Sequence, residues 1–230
     1  MKGGHGSETQ DFVHYAFYQC RPEWRLLPDG QKEEGAVEFL DAVEKYADEM
    51  MMETYSTLGL RADADFLIWK VCPELPPIQE MAASLRRTGL GRHLELSHSL
   101  LAITRKSVYR RDEPLEAGFK VDPGEGTYLF VYPFVKTREW YALPLETRQR
   151  LMAEHIKVGN EYPDVRLHTA YSFGLDDQEF VVSFVTDHPK RFQTLVMRLR
   201  ETEASRYTLR DTPIFTCVKR PLREILKSLG

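Results

Sequence analysis

A histidine at position 155 stands where an ordinary amphipathic helix would carry a leucine. Residues from about Leu145 to Gly159 read as a helix. Leu151 and Met152 lie four and three places before His155, so at 3.6 residues per turn the three share a face. That face must turn to the core, because Glu146, Arg150 and Lys157 fill the opposite side. Arg148 also lies inward, but near the helix start, where it can reach a rim. An inward imidazole is either a core histidine with its hydrogen bonds satisfied or, since neutral imidazole is a common ligand, the axial ligand of a buried metal or haem. Spacing alone does not choose.

The helix is set among strands. Tyr128–Val135 precedes it, and residues 165–173 and 179–185 follow, meeting at Phe173-Gly174-Leu175-Asp176-Asp177; a helix over 189–202 and a strand over 213–219 complete the half. The first half has the same order. A strand over 11–20, a turn-rich stretch from Pro22 to Gly35 and a helix from Gly35 to Met51 (Val37, Leu40, Val43 and Tyr46 as its stripe) come first. Strands Thr54–Leu60 and Asp65–Val71, a helix from Glu74 to Gly91 opened by Pro76-Pro77, and a strand Leu96–Lys106 follow. Leu58-Gly59-Leu60 before Asp65-Phe66-Leu67-Ile68 resembles Phe173-Gly174-Leu175 before Glu179-Phe180-Val181-Val182. The expected fold is therefore α+β: tandem ferredoxin-like βαββαβ repeats, residues 1–112 and 113–230, joined through the charged, turn-rich stretch Tyr109–Gly126. Two such sheets can pair edges and faces into a dimeric α+β barrel, which removes free strand edges and leaves a cavity wide enough for a flat ligand.

Composition narrows the function classes. A net charge of −4 lacks the basic surplus of a nucleic-acid binder. Cys20, Cys72 and Cys217 form no CxxC pair, which argues against a zinc knuckle or redox dithiol and for reduced, buried thiols in a cytoplasmic protein. No apolar run approaches 18 residues, so no membrane span is expected, and Met1 to Ser7 lacks the apolar core of a signal peptide.

A set of motifs in the second half resembles the chlorite dismutase superfamily: Tyr132-Pro133-Phe134-Val135-Lys136, Glu139-Trp140-Tyr141, Leu143-Pro144, His155, Tyr162-Pro163-Asp164-Val165-Arg166, Gly174-Leu175-Asp176-Asp177, Arg200 and Glu203-Ala204-Ser205-Arg206-Tyr207. The first half matches in element order only. Within the superfamily the chain looks most like the actinobacterial coproheme decarboxylases. That resemblance implies a homopentamer that binds iron coproporphyrin III in its C-terminal half and, with hydrogen peroxide, oxidatively removes two propionate carboxyls to leave haem b. It implies His155 as the proximal iron ligand and Tyr132, 23 positions earlier, as the radical that abstracts hydrogen from a propionate. It implies Trp140 beside the porphyrin and Lys136, Arg200 and Ser205 at propionate-binding positions; the substrate's four carboxylates need such basic groups and hydroxyls. Read without the resemblance, Tyr132 is a sheet tyrosine, Trp140 a core residue and Lys136 a solvated lysine.

Three departures bear on the subfamily. Chlorite dismutases carry a distal arginine where this chain has Leu167, with Arg166 and His168 one step away and so on the other side of the strand. They also hydrogen-bond the proximal histidine to a glutamate, where this chain has Ala204 beside Glu203. Both changes, with Tyr132 retained, point to the decarboxylase. Against it, the linker histidine that acts as base toward peroxide in actinobacterial decarboxylases is missing; Glu113, Glu116 or His168 are the substitutes on offer. The competing readings are a chlorite dismutase, a non-catalytic haem binder or weak peroxidase, and a haem-free barrel serving as a scaffold. A second porphyrin site in the first half is not expected, since its helix from Gly35 to Met51 has no histidine.

Overall fold

The computed structural model describes residues 10–109, 121, 124 and 126–230. The first half runs β1 (Phe12–Cys20), α1 (Asp29–Glu44), β2 (Met51–Ser56), β3 (Phe66–Cys72), α2 (Leu75–Arg87) and β4 (Leu94–Ile103). The second runs β5 (Tyr128–Lys136), a short α3 (Arg138–Ala142), α4 (Leu145–Asn160), β6 (Arg166–Tyr171), β7 (Phe180–Thr186), α5 (Pro189–Glu201), β8 (Thr208–Arg210), β9 (Phe215–Lys219) and α6 (Leu222–Lys227). This is the expected repeat; the expected boundary between residues 112 and 113 falls outside the described residues.

The halves join edge to edge. β4, β1, β3 and β2 pair antiparallel in that order, β2 pairs β9, β9 pairs β5, β5 pairs β7, β7 pairs β6, and β6 returns to β4 through Ile103 and Tyr171. Eight antiparallel strands thus close on themselves. Alternate residues of each strand point into the ring and fill it, with Tyr15, Phe17, Leu67, Trp69, Leu129 and Phe215 wholly buried there. The expected cavity for a flat ligand is therefore not in the lumen. It has to lie outside, between the strands and their helices.

Local signals explain where sequence and structure part. α1 starts six residues before Gly35, because Pro28 sets an extended entry and Asp29 places a carboxylate in the first turn. Gly30 and Gly35, which make this stretch look turn-like, are inside the helix. Gly35 is there for contact: a Cβ on it would come within 2.8 Å of the Leu90 backbone nitrogen, so α1 packs hard on the α2–β4 connection. The helix ends at Glu44, since Met51–Ser56 is claimed by antiparallel pairing with β3. Gly59, with φ at +75°, then makes Leu58-Gly59-Leu60 a turn rather than a strand end. α6 is too short to announce itself by periodicity. Its Leu222, Ile225 and Leu226, with Leu229, cross back to the first half and join Trp24, Phe39 and Met81 in one core.

The sheet also holds a misfit. Lys70 on β3 sits opposite His14 on β1, wholly buried, and its Nζ has no hydrogen-bond partner among the described residues. Burial pulls the Lys70 pKa down from 10.5 to about 8, and burial followed by the Lys70 charge pulls that of His14 to about 3. Since the folded state binds the Lys70 proton less tightly than the unfolded chain, unfolding free energy rises with pH between about 8 and 10.5, and the full penalty applies below that window. Lys70→Met should therefore stabilise the protein at pH 7 by something on the order of 3 kcal/mol. Paired urea melts of the two proteins should show this advantage shrinking as the pH is raised through the window.

Candidate functional site

The two halves use one local plan with different contents. α1 and α4 each have 16 residues and each follow a proline, Pro28 and Pro144; a wholly buried tryptophan lies four residues before each proline, Trp24 and Trp140. The eleventh residue after the proline is Phe39 in the first half and His155 in the second. Phe39 is fully buried and packs edge-on to Phe66, closing the space between α1 and the sheet. α4 buries only Leu151. Beneath it, against the β5–β7–β6 face, lies a cavity of about 580 Å³, bordered by Tyr132, Phe184, Leu167, Met152, His155 and Leu199 among others. Its size and largely apolar wall are those of a small-molecule site.

His155 approaches from the helix side. Its Nδ1 is 3.1 Å from the hydroxyl of Thr202, and that hydroxyl donates its one proton to the Leu199 carbonyl at 2.8 Å. Nδ1 is therefore the protonated nitrogen and Nε2 carries the lone pair. Burial, followed by the positive charge of Lys136, holds the His155 pKa down near 4, so the ring is neutral at physiological pH, as a metal ligand must be. Lys136 does not extend toward open solvent. Its ammonium donates to the Ala204 carbonyl at 3.0 Å and lies 4.5 Å from the centre of the Trp140 ring. Burial lowers its pKa to about 8, with Glu179 opposing. Trp140 stands behind Lys136, outside the cavity wall, its indole N–H donating to Tyr109 at 3.2 Å.

The strands supply the opposite wall. Tyr132 faces the cavity beside Phe184, 6.2 Å between ring centres, and burial, reinforced by Asp211, keeps its phenol protonated well past its ordinary pKa. Leu167, paired with Phe184, presents its side chain on this same face. Arg200 and Ser205 border the cavity where α5 ends; Arg200 forms an ion pair with Asp211, and the Ser205 hydroxyl donates to the Arg200 carbonyl at 2.6 Å. His168 is separated from this group. It pairs with Ser183, and its ring lies edge-on to Trp69, 5.7 Å between centres, on the lumen side of β6. It nevertheless borders the cavity, as do Val13 and Tyr15 of β1, next to the place where β6 and β4 are joined by a single pair. His168 therefore faces away from Leu167 on β6 while still bordering the cavity. Glu113 and Glu116 lie outside the described residues.

Sequence reasoning missed Thr202, Asp211, Arg105 and Glu179. Arg105 adds a cation to the cavity border, and Glu179 accepts from both the Tyr141 hydroxyl (2.6 Å) and the Lys136 backbone N–H (2.8 Å), tying α3 to β5. These depend on long-range placement. The register of Trp24, Pro28 and Phe39 with Trp140, Pro144 and His155 is open to inspection and marks position 155 directly.

Comparison with known proteins identifies the family and the fold. Residues 32–220 match the family model described as chlorite dismutase. Over 163 residues, 70% of each chain, the sequence is 37% identical to coproheme decarboxylase from Mycolicibacterium smegmatis. A point mutant of chlorite dismutase from Candidatus Nitrospira defluvii superposes with a TM-score of 0.89 at 28% identity, covering 97% of this chain and 96% of the other. A haem-binding protein from Thermus thermophilus superposes at 0.81 with 25% identity, covering 95% and 94%. The chain belongs to the chlorite dismutase family, and the named relatives place it among enzymes. Among the described residues no helix is long and apolar enough to cross a membrane.

Because the Lys136 charge contributes to the depressed His155 pKa, Lys136→Met should raise that pKa from about 4 toward its ordinary value, while burial keeps it below 6.5. Lys136→Arg should leave it low. An NMR titration of the His155 ring reads both.

Proposed function

We propose that this protein is a hydrogen-peroxide-dependent coproheme decarboxylase, converting iron coproporphyrin III to haem b. The observation that carries the reading is a neutral imidazole with its Nε2 lone pair available, beside a cavity of porphyrin-compatible size, with a buried phenol on the facing sheet. One imidazole supplies one coordination bond, so a metal held here brings its other ligands with it, as a porphyrin does. The polar residues fit the substrate's carboxylates: Arg200, Ser205 and Arg105 border an otherwise apolar cavity. Lys136, spent on the Ala204 carbonyl and the Trp140 ring, is better placed to tune His155 than to clasp a propionate.

Bound there, iron coproporphyrin III would supply a redox-active iron to accept the oxidising equivalents of peroxide, together with the propionates that are lost. His155 would hold the iron through Nε2. Tyr132 would give up its phenolic hydrogen and then take one from the adjacent propionate; a second electron, passed to the oxidising equivalents that peroxide leaves at the iron, would let carbon dioxide depart and a vinyl group form. Each propionate gives up two electrons, so one peroxide is consumed and two waters form per carboxyl removed. Phe184 and Val182 give Tyr132 an apolar flank that limits the access of water to its phenol. Leu167 places a hydrocarbon where a chlorite-converting site would need a cation. The reaction belongs to haem synthesis in the cytoplasm, and a homopentamer is the assembly that goes with this reading.

Purified protein mixed with iron coproporphyrin III and peroxide should yield a porphyrin lighter by two carbon dioxide units and four hydrogen atoms in mass spectrometry. Unchanged porphyrin, with dioxygen evolved from chlorite instead, would assign the chlorite dismutase reaction. Tyr132→Phe should bind the porphyrin with an unaltered Soret band and lose turnover by about 100-fold or more, the scale of a deleted proton-transfer group.

A further inference from the structure

We infer that Thr202 is the positioning residue that decides which nitrogen of His155 faces the cavity and how strongly that nitrogen donates. Its part in metal binding rests on the porphyrin reading above; its part in choosing the tautomer does not.

Thr202 is the residue on which α5 ends, with extended backbone (φ −70°, ψ 148°), and the same residue opens the short 3-10 helix Glu203–Tyr207. It is almost wholly buried. Its hydroxyl lies between two partners, the Leu199 carbonyl at 2.8 Å and His155 Nδ1 at 3.1 Å, and has one proton to give. The Leu199 carbonyl is the shorter contact; it also accepts the Thr202 backbone N–H at 3.3 Å and has a second lone pair for the hydroxyl. Once the proton is committed to that carbonyl, the hydroxyl can only accept, and it accepts from Nδ1–H. The tautomer of His155 is thereby set by the C-terminal turn of a different helix.

The strength of donation follows from the same contact. A carboxylate accepting from Nδ1–H would push electron density into the ring and make Nε2 a stronger donor. A neutral hydroxyl that is also a donor holds the ring direction with little such push. The nearby residues do not replace it: Ala204 has no polar side chain, and Glu203 is turned outward beside Arg150, 3.8 Å away. The charge acting on His155 is the Lys136 ammonium, which withdraws electron density. Thr202 therefore fixes geometry while leaving the imidazole a weak donor.

The test uses Thr202→Val, which keeps the shape and removes the acceptor, and Thr202→Ser, which keeps the hydroxyl. Ring nitrogen shifts of His155 in the ligand-free, ¹⁵N-labelled protein should report Nδ1–H in the wild type and in Thr202→Ser, and a mixture of tautomers in Thr202→Val. An Nε2–H tautomer in the wild type, or an unchanged ring in Thr202→Val, overturns the inference. With ferrous haem b added, the iron–imidazole stretch should fall in frequency in Thr202→Val and haem affinity should drop about 10-fold, both restored in Thr202→Ser. Thr202→Asp should raise the stretch. If the tautomer result holds but no variant, wild type included, shows an iron–imidazole stretch, the porphyrin reading fails while the role of Thr202 in setting the ring stands.

Discussion

Closure of the strand ring is the constraint from which the rest follows. Eight antiparallel strands, closed at β4–β6 by a single pair, enclose a space that their own inward side chains fill, so the lumen is mostly a core and not a chamber. A ligand site can form only on the outer face, under a helix, and it can form only where that helix does not collapse onto the sheet. The first half shows the collapsed case. There α1 and α2, with α6 wedged beside them, pack Trp24, Phe39, Phe66 and Met81 to near-complete exclusion of water.

The second half departs from that arrangement at the counterpart of Phe39. Exchanging Phe39 for its counterpart His155 replaces a large hydrophobe by a polar ring that is not long enough to fill the gap and cannot be buried without a partner for each nitrogen. Thr202 partners one nitrogen. The other is left to the cavity. Holding α4 off the sheet costs the burial its neighbours would otherwise gain, and the loss is carried by packing at the two ends: Leu151 with Trp140 and Ala204 at one, Tyr162, Val165, Phe192 and Leu195 at the other. The cavity survives because both ends of the helix are pinned.

Much of this was legible in the sequence. Element order, the two-fold repeat and the inward face of α4 come from periodicity, and periodicity survives tertiary packing when the apolar stripes are strong. The boundaries of α1 were not legible, since Gly30 and Gly35 suggest a turn until the neighbouring Gly89–Leu90 backbone explains why no side chain fits. At the site, His155, Tyr132, Leu167, Arg200 and Ser205 do converge on one cavity. His168 borders the same cavity from the other face of β6, because a strand's two faces are decided by pairing register, here with Ser183, and the β6–β7 pairing has no one-residue bulge to turn it. Thr202 gave no signal at all. A threonine ending a helix is ordinary, and its meaning comes from a partner 47 residues away.

The return of α6 to the opposite half has a consequence for how the polypeptide is made. Leu222, Ile225, Leu226 and Leu229 complete the core beneath α1, although that helix begins at Asp29. On a ribosome, the amino-terminal repeat would spend most of elongation with an uncovered apolar groove, sealed only when the last turn of α6 emerges. Biogenesis therefore couples the two repeats: the core of the first waits on a segment of the second.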